Sequence, residues 1–112
     1  MKFILNESLA MLGIKNVVIG IAKNVDPRAP LPASFLKKQK EMEKWALNCD
    51  IDEVSDTPVI QGYKDLLQSV GRSVKKNPPT VLALIRNIRH RGSIPNINSI
   101  IDIINIELII LL

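Results

Sequence analysis

An isoleucine-rich stretch near the C-terminus most constrains the fold, because polar side chains interrupt it at helical spacing. Within residues 94–105, a helix would place Asn98, Asp102 and Asn105 at i, i+4 and i+7, on one face. Polar groups in so apolar a segment must contact water or be satisfied by specific partners inside the protein. These three side chains therefore either bind a ligand or cap and connect neighbouring backbone around a buried helix.

The apolar side of the same helix predicts a stripe that faces the core. Asn96 or Asn98 is suited to the N-cap position, and Ile97, Ile100, Ile101, Ile104 and Leu108 form the stripe. The apolar run 100–112 is shorter than the ~20 residues that span a bilayer. We therefore expect a buried element and no membrane segment.

A continuous β-branched run at residues 16–22 predicts a strand buried on both faces, and residues 2–5 predict a shorter one. Helical periodicity, caps and breakers predict helices near residues 7–12, 33–48, 58–70 and 81–90, with an acidic connection at 50–56. A chain of 112 residues makes one domain. The sequence thus predicts a single α+β domain over residues 1–112, with helices packed on a small sheet.

The positive charge of the chain, a net +4, is concentrated in one interval. No acidic residue occurs between Asp65 and Asp102. The cations of this interval are Arg72, Lys75, Lys76, Arg86, Arg89 and Arg91, and His90 lies among them. Such a set either contacts the phosphates of a nucleic acid or is simply a solvated basic face. Aromatic residues, at 4%, leave few rings on which bases could stack.

The residues give little support for metal or nucleophilic chemistry. One cysteine, Cys49, and one histidine, His90, provide none of the spacings of zinc sites, so we expect no metal and no cofactor. A lone cysteine on the apolar face of a helix is far more often a packing residue than a nucleophile. A single cysteine excludes an intrachain disulfide and the N-terminal apolar run is too short for a signal peptide, so a cytoplasmic location is expected.

Four segments together are similar to a known module. Tyr63, the turn at Gly71, residues 79–86 and residues 94–105 resemble the tRNA-binding and editing module of the phenylalanyl-tRNA synthetase beta chain. This B-three/B-four module also occurs as a free-standing protein, the type to which the chain is more similar. The family couples a Ser-x-Glu-Ala-Leu-x-Arg-Arg helix to a Pro-x-Ile-Asn-x-x-Val-Asp-x-x-Asn helix. The second pattern coincides with Asn98, Asp102 and Asn105.

The first of these two helices departs from the family pattern. Thr80 replaces the serine conservatively, but Leu82 occupies the usual glutamate position and Asn87 the position of the second arginine. The resemblance implies recognition of aminoacylated or uncharged tRNA and, in the synthetases, hydrolysis of wrongly attached amino acid. On the basis of this resemblance, we expect Thr80, like Asn98, Asp102 and Asn105, to be a structural or pocket residue.

The resemblance also covers only the N-terminal part of the family's module. The histidine and glutamate of the synthetase editing pocket align beyond Leu112 and have no counterpart in this chain. We therefore expect no catalytic residues and no editing activity for the chain alone. The alternative is a non-catalytic interaction fragment, whose apolar C-terminal segment pairs with another protein chain or with a second copy.

Overall fold

The chain folds into six helices joined by turns and irregular segments, and it contains no β-strand. The computed structural model describes residues 1–112. The helices are α1 (Glu7–Met11), α2 (Ala33–Asn48), α3 (Ile51–Ser55), α4 (Pro58–Ser69), α5 (Thr80–Arg91) and α6 (Ser99–Ile110). The prediction of an α+β fold is therefore wrong.

Helix α5 is the centre of the packing. Five of its side chains are buried: Val81, Leu82, Leu84, Ile85 and Ile88. α5 packs against α2, α3 and α6, and α2 also packs against α6. The helix ends at Gly92, whose φ of +86° is the left-handed conformation that glycine adopts without a steric penalty.

The predicted strand at residues 16–22 is the main error. Residues 15–25 have no regular secondary structure and form no backbone hydrogen bond, and Val18 is 96% exposed. A strand needs a neighbouring strand to pair its N–H and C=O groups, and residues 2–5, the other predicted strand, are also exposed and unpaired. The β-branched composition alone therefore does not produce a sheet.

The N-terminal part of the chain lies largely outside the core. None of the buried residues precedes Met42. The radius of gyration is 16.2 Å, whereas a compact domain of this length has about 13 Å. Ser99 anchors this part to the start of α6, because its Oγ donates to the carbonyl oxygens of Asp26 and Pro27, each at 3.2 Å.

The acidic segment predicted as a connection contains a helix, α3. The carboxylate of Asp50 accepts hydrogen bonds from the N–H groups of Asp52 at 2.9 Å and Glu53 at 3.2 Å. This is the N-cap arrangement, and the negative charges of Asp52 and Glu53 in the first turn also interact favourably with the helix dipole. Val54 anchors the short helix in the core.

The orientation of α6 differs from the one predicted. Asp102, Ile106 and Ile109 are buried, whereas Ile97, Ile101, Ile104 and Leu108 of the predicted core stripe are exposed. α6 is apolar on nearly every side, so periodicity does not specify which side faces the core. No helix of the chain combines the length and hydropathy needed to cross a membrane.

Two isoleucines of α6 test this orientation by the same substitution. Ile106 is fully buried and Ile104 is 53% exposed. We expect Ile106→Ala to lower the free energy of unfolding by about 2–5 kcal/mol through the cavity it leaves. Ile104→Ala should change it by no more than about 0.5 kcal/mol. Urea unfolding of both variants in dilute solution measures the difference, and the reverse ranking would contradict the observed orientation.

Candidate nucleic-acid interface

Three cationic side chains line one groove beside the start of α5. Lys64 of α4, Lys75 of the α4–α5 connection and Arg86 of α5 surround a cavity of about 250 Å³. Pro78, Pro79 and Leu82 form part of its wall. The first turn of α5 borders the groove, and its N-cap residue Pro79 supplies no side-chain acceptor. The groove therefore combines three positive charges with the positive end of a helix dipole.

Two of these cations are free to contact a ligand. The single ion pair of the chain joins Lys38 to Glu107 at 2.9 Å, so no carboxylate neutralises Lys75 or Arg86, both of which are exposed. Lys64 is partly committed, since its Nζ donates to the carbonyl oxygen of Ser55 at 3.2 Å and to the Ser55 hydroxyl. Lys64 thereby stabilises the C-terminus of α3 while adding charge to the groove.

Arg72 and Lys76 extend the positive charge along the same connection. Gly71, at φ +74°, ends the turn after α4, and the next residue, Arg72, donates its N–H to the carbonyl oxygen of Leu67 at 2.9 Å. Lys76 directly follows Lys75, and its N–H lies 3.4 Å from the Ser73 hydroxyl. Both side chains are exposed, so Arg72, which precedes Lys75 in the chain, and Lys76, which follows it, can each contact a ligand.

Arg89 belongs to a different site from Arg86. Its Nε donates to the carbonyl oxygen of Ala46 at 3.0 Å, and its Nη2 donates to that of Cys49. These acceptors are at the C-terminal end of α2, where a cation satisfies terminal carbonyls and the helix dipole. Arg89 thus fastens α5 to α2. Arg91 and His90 are exposed in the last turn of α5, outside the groove.

Asn98 and Asp102 bind backbone groups of their own segment. The Oδ1 of Asn98 accepts from the N–H of Ile100 at 3.1 Å and from that of Ile101 at 3.0 Å, which makes Asn98 the N-cap of α6. The buried carboxylate of Asp102 accepts from the N–H of Ile97 at 2.8 Å. The two side chains together fix the turn that leads into α6.

The other two polar residues of the predicted set have no such role. Thr80 begins α5 with an exposed side chain, and Asn105 is half-buried in α6. Neither side chain forms a hydrogen bond within the chain, in contrast to Asn98 and Asp102. The structure therefore does not bring the four residues into one pocket: Thr80 is near the basic groove and the others are on α6.

The polar contacts around Ile94 strengthen the structural role of this turn. Glu43 of α2 accepts from the N–H of Ile94 at 3.3 Å and from the side chain of Gln39 at 2.8 Å. Gln39 also lies 3.4 Å from the Oδ1 of Asn96. Side chains of α2 thus hold the turn before α6 from one side, while Asp102 holds it from the other.

Sequence reasoning missed Lys64 and Ser55 at the groove. The sequence did place Lys64 within a predicted helix, six residues after Pro58. Lys64 directly precedes Asp65, however, so it was not included among the cations of the acid-free interval. Ser55 was assigned to a connection, whereas it ends α3 and presents its carbonyl to Lys64. Both omissions follow from missing α3.

Other chemistry finds no support in the arrangement of side chains. No group of three His, Cys, Asp or Glu side chains is placed to hold a metal ion. Comparison of the chain with protein-family models, with curated proteins and with solved structures found no match. The thiol of Cys49 lies 3.5 Å from the Ala46 carbonyl oxygen and 3.6 Å from Arg89, and it forms no hydrogen bond with His90.

Substitution of Asp102 tests its structural role. Asp102→Ala leaves the N–H of Ile97 without its acceptor, so the free energy of unfolding should fall by about 1–3 kcal/mol. Asp102→Asn is the matched control, because it keeps an oxygen at the same place and should lose less. Thermal unfolding of both variants measures the difference. Equal stability of Asp102→Ala and the wild-type chain would contradict this role.

Proposed function

We propose that the chain binds RNA through the groove formed by Lys64, Lys75 and Arg86, with transfer RNA as the RNA class. The observation that carries the proposal is the convergence of these three cations on one groove with no carboxylate paired to them. The resemblance of residues 79–86 and 94–105 to the B-three/B-four module is what suggests transfer RNA rather than another polyanion.

The groove suits a phosphate group of the RNA backbone. The guanidinium of Arg86 offers a planar set of donors that matches two phosphate oxygens, and the ammonium of Lys75 acts as a point charge. Arg72 and Lys76 lie in the same connection as Lys75, so adjacent phosphates of a strand would find further cations. A set of charges spread along a connection favours a polymer of phosphates over a single anion.

The binding should depend little on base sequence. Phosphate contacts position a protein on a nucleic acid but do not identify bases. No aromatic side chain lines the groove, and Tyr63 and Trp45, which are half-exposed, lie outside it. Because the groove has no aromatic ring on which a base could stack, we expect affinity to arise mainly from electrostatic contacts with phosphates.

A pair of charge-neutralising substitutions tests the groove. Lys75→Gln with Arg86→Gln should weaken the affinity for a transfer RNA transcript and lower the slope of log Kd against log salt by about 2, one for each lost phosphate contact. Fluorescence anisotropy across a salt series measures both quantities. The control is Lys40→Gln with Lys44→Gln, which removes the same charge from exposed positions on α2.

Two outcomes would contradict RNA binding at the groove. In one, the affinity stays constant between low and moderate salt, which excludes phosphate contacts as its source. In the other, the α2 control weakens binding as much as the groove variant, which reduces the effect to net charge.

We expect the chain alone to lack editing activity. His90 is exposed, and the Cys49 thiol contacts the Ala46 carbonyl oxygen and Arg89 rather than a base that could activate it. Phenylalanine-specific tRNA carrying tyrosine should therefore lose its amino acid at the same rate with the chain as in buffer. Release of labelled tyrosine measures this rate, and acceleration that scales with protein concentration would disprove the expectation.

A further inference from the structure

The exposed face of α6 carries apolar residues at the spacing of a coiled-coil seam. Ile101, Ile104, Leu108 and Leu111 follow one another at intervals of three, four and three residues, and all four are exposed. Hydrophobic residues that alternate at intervals of three and four keep one narrow face toward a partner helix. This set of four residues is called the α6 seam below.

The α6 seam is separate from the face that α6 buries in its own chain. At about 100° per residue, the seam is centred about 140° around the helix from Asp102, Ile106 and Ile109. The internal packing of α6 therefore leaves the seam available. It also differs from the apolar groove between α2 and α6, to which Ile110 and Leu112 contribute.

We propose that the α6 seam pairs with the α6 seam of a second copy of this chain, in antiparallel orientation. The seam contains no charged residue, so two copies meet without like charges opposed across it. The nearest carboxylate on the helix, that of Glu107, already forms the ion pair with Lys38 of its own chain.

Asn105 supports the choice of a second copy and of the antiparallel orientation. It borders the seam beside Ile101 and Leu108, which lie four residues before it and three residues after it on the helix. It is half-buried, and its amide forms no hydrogen bond within the chain. Antiparallel pairing brings the two Asn105 side chains to the same side of the contact, where each amide offers a donor and an acceptor to the other. A parallel pair would place Asn105 beside Ile100 instead.

The chain exposes more surface than a compact monomer of its mass. Its solvent-accessible surface is 8588 Å², compared with about 6,200 Å² for a compact monomer of the same mass. The surplus, part of which belongs to the N-terminal residues, exceeds the ~800 Å² that each partner buries in a standard interface.

Sedimentation velocity of the full chain over a wide concentration range tests the proposal. The wild-type chain should form a concentration-dependent dimer that persists at high salt, because apolar contacts are not screened. Ile104→Glu should raise the dimer dissociation constant by at least about tenfold, since a carboxylate would be buried among apolar side chains. Asn105→Asp should weaken the dimer too, by opposing two negative charges.

The matched control is Ile110→Glu, which introduces the same charge on the same helix but outside the seam. Ile110 is 44% exposed and Ile104 is 53% exposed, so both variants leave the core intact, as far-ultraviolet circular dichroism should verify. Retained dimerisation of Ile110→Glu supports the seam. A chain that is monomeric at every concentration would overturn the proposal, as would a dimer that Ile110→Glu disrupts and Ile104→Glu does not.

Discussion

The burial of α5 among α2, α3 and α6 is the contact on which the rest of the structure depends. α5 supplies Val81, Leu82, Leu84, Ile85 and Ile88 to the core, whereas α2, α3, α4 and α6 each supply one to three buried residues and α1 supplies none. Each such side chain contributes about 1.5–3 kcal/mol when fully buried. Because α5 holds the core from several sides, its remaining exposed edge, with Arg86, is positioned rigidly and can present charge at a fixed place.

The basic interval divides into two sets because α5 presents its arginines to different neighbours. Arg86 borders the groove beside Lys75, whereas Arg89, one turn later, is held by the Ala46 and Cys49 carbonyls at the end of α2. A charge pattern in the sequence cannot separate these two fates, since both residues are exposed arginines on one helix. The distinction depends on where α2 ends, which is a property of the tertiary packing and not of the interval itself.

Apart from α3, the sequence predicted the helices that have local physical signals, and it was wrong where structure depends on a pairing partner. α2 begins and ends where the periodicity placed it, and α5 ends at Gly92, a residue type that commonly follows the last turn of a helix. The strand at residues 16–22 failed because pairing needs a second strand, which local composition cannot supply. At the candidate site, Lys75 and Arg86 were among the predicted cations, but Lys64 was missed because α3, which binds it, was not foreseen.

In α6, polar contacts determine which face of the helix is buried, because the pattern of apolar residues does not. Rotation of α6 toward its seam would bury Ile101, Ile104 and Leu108 in place of Ile106 and Ile109, so apolar area alone gives the observed orientation no advantage. The observed orientation keeps the hydrogen bond from the Ile97 N–H to Asp102 and the bifurcated hydrogen bond from the Ser99 hydroxyl to the carbonyl oxygens of Asp26 and Pro27. Each such bond is worth about 1 kcal/mol. A few hydrogen bonds therefore determine which face of an almost uniformly apolar helix is buried. The opposite apolar face stays exposed, and a partner that covered it would remove that apolar area from water.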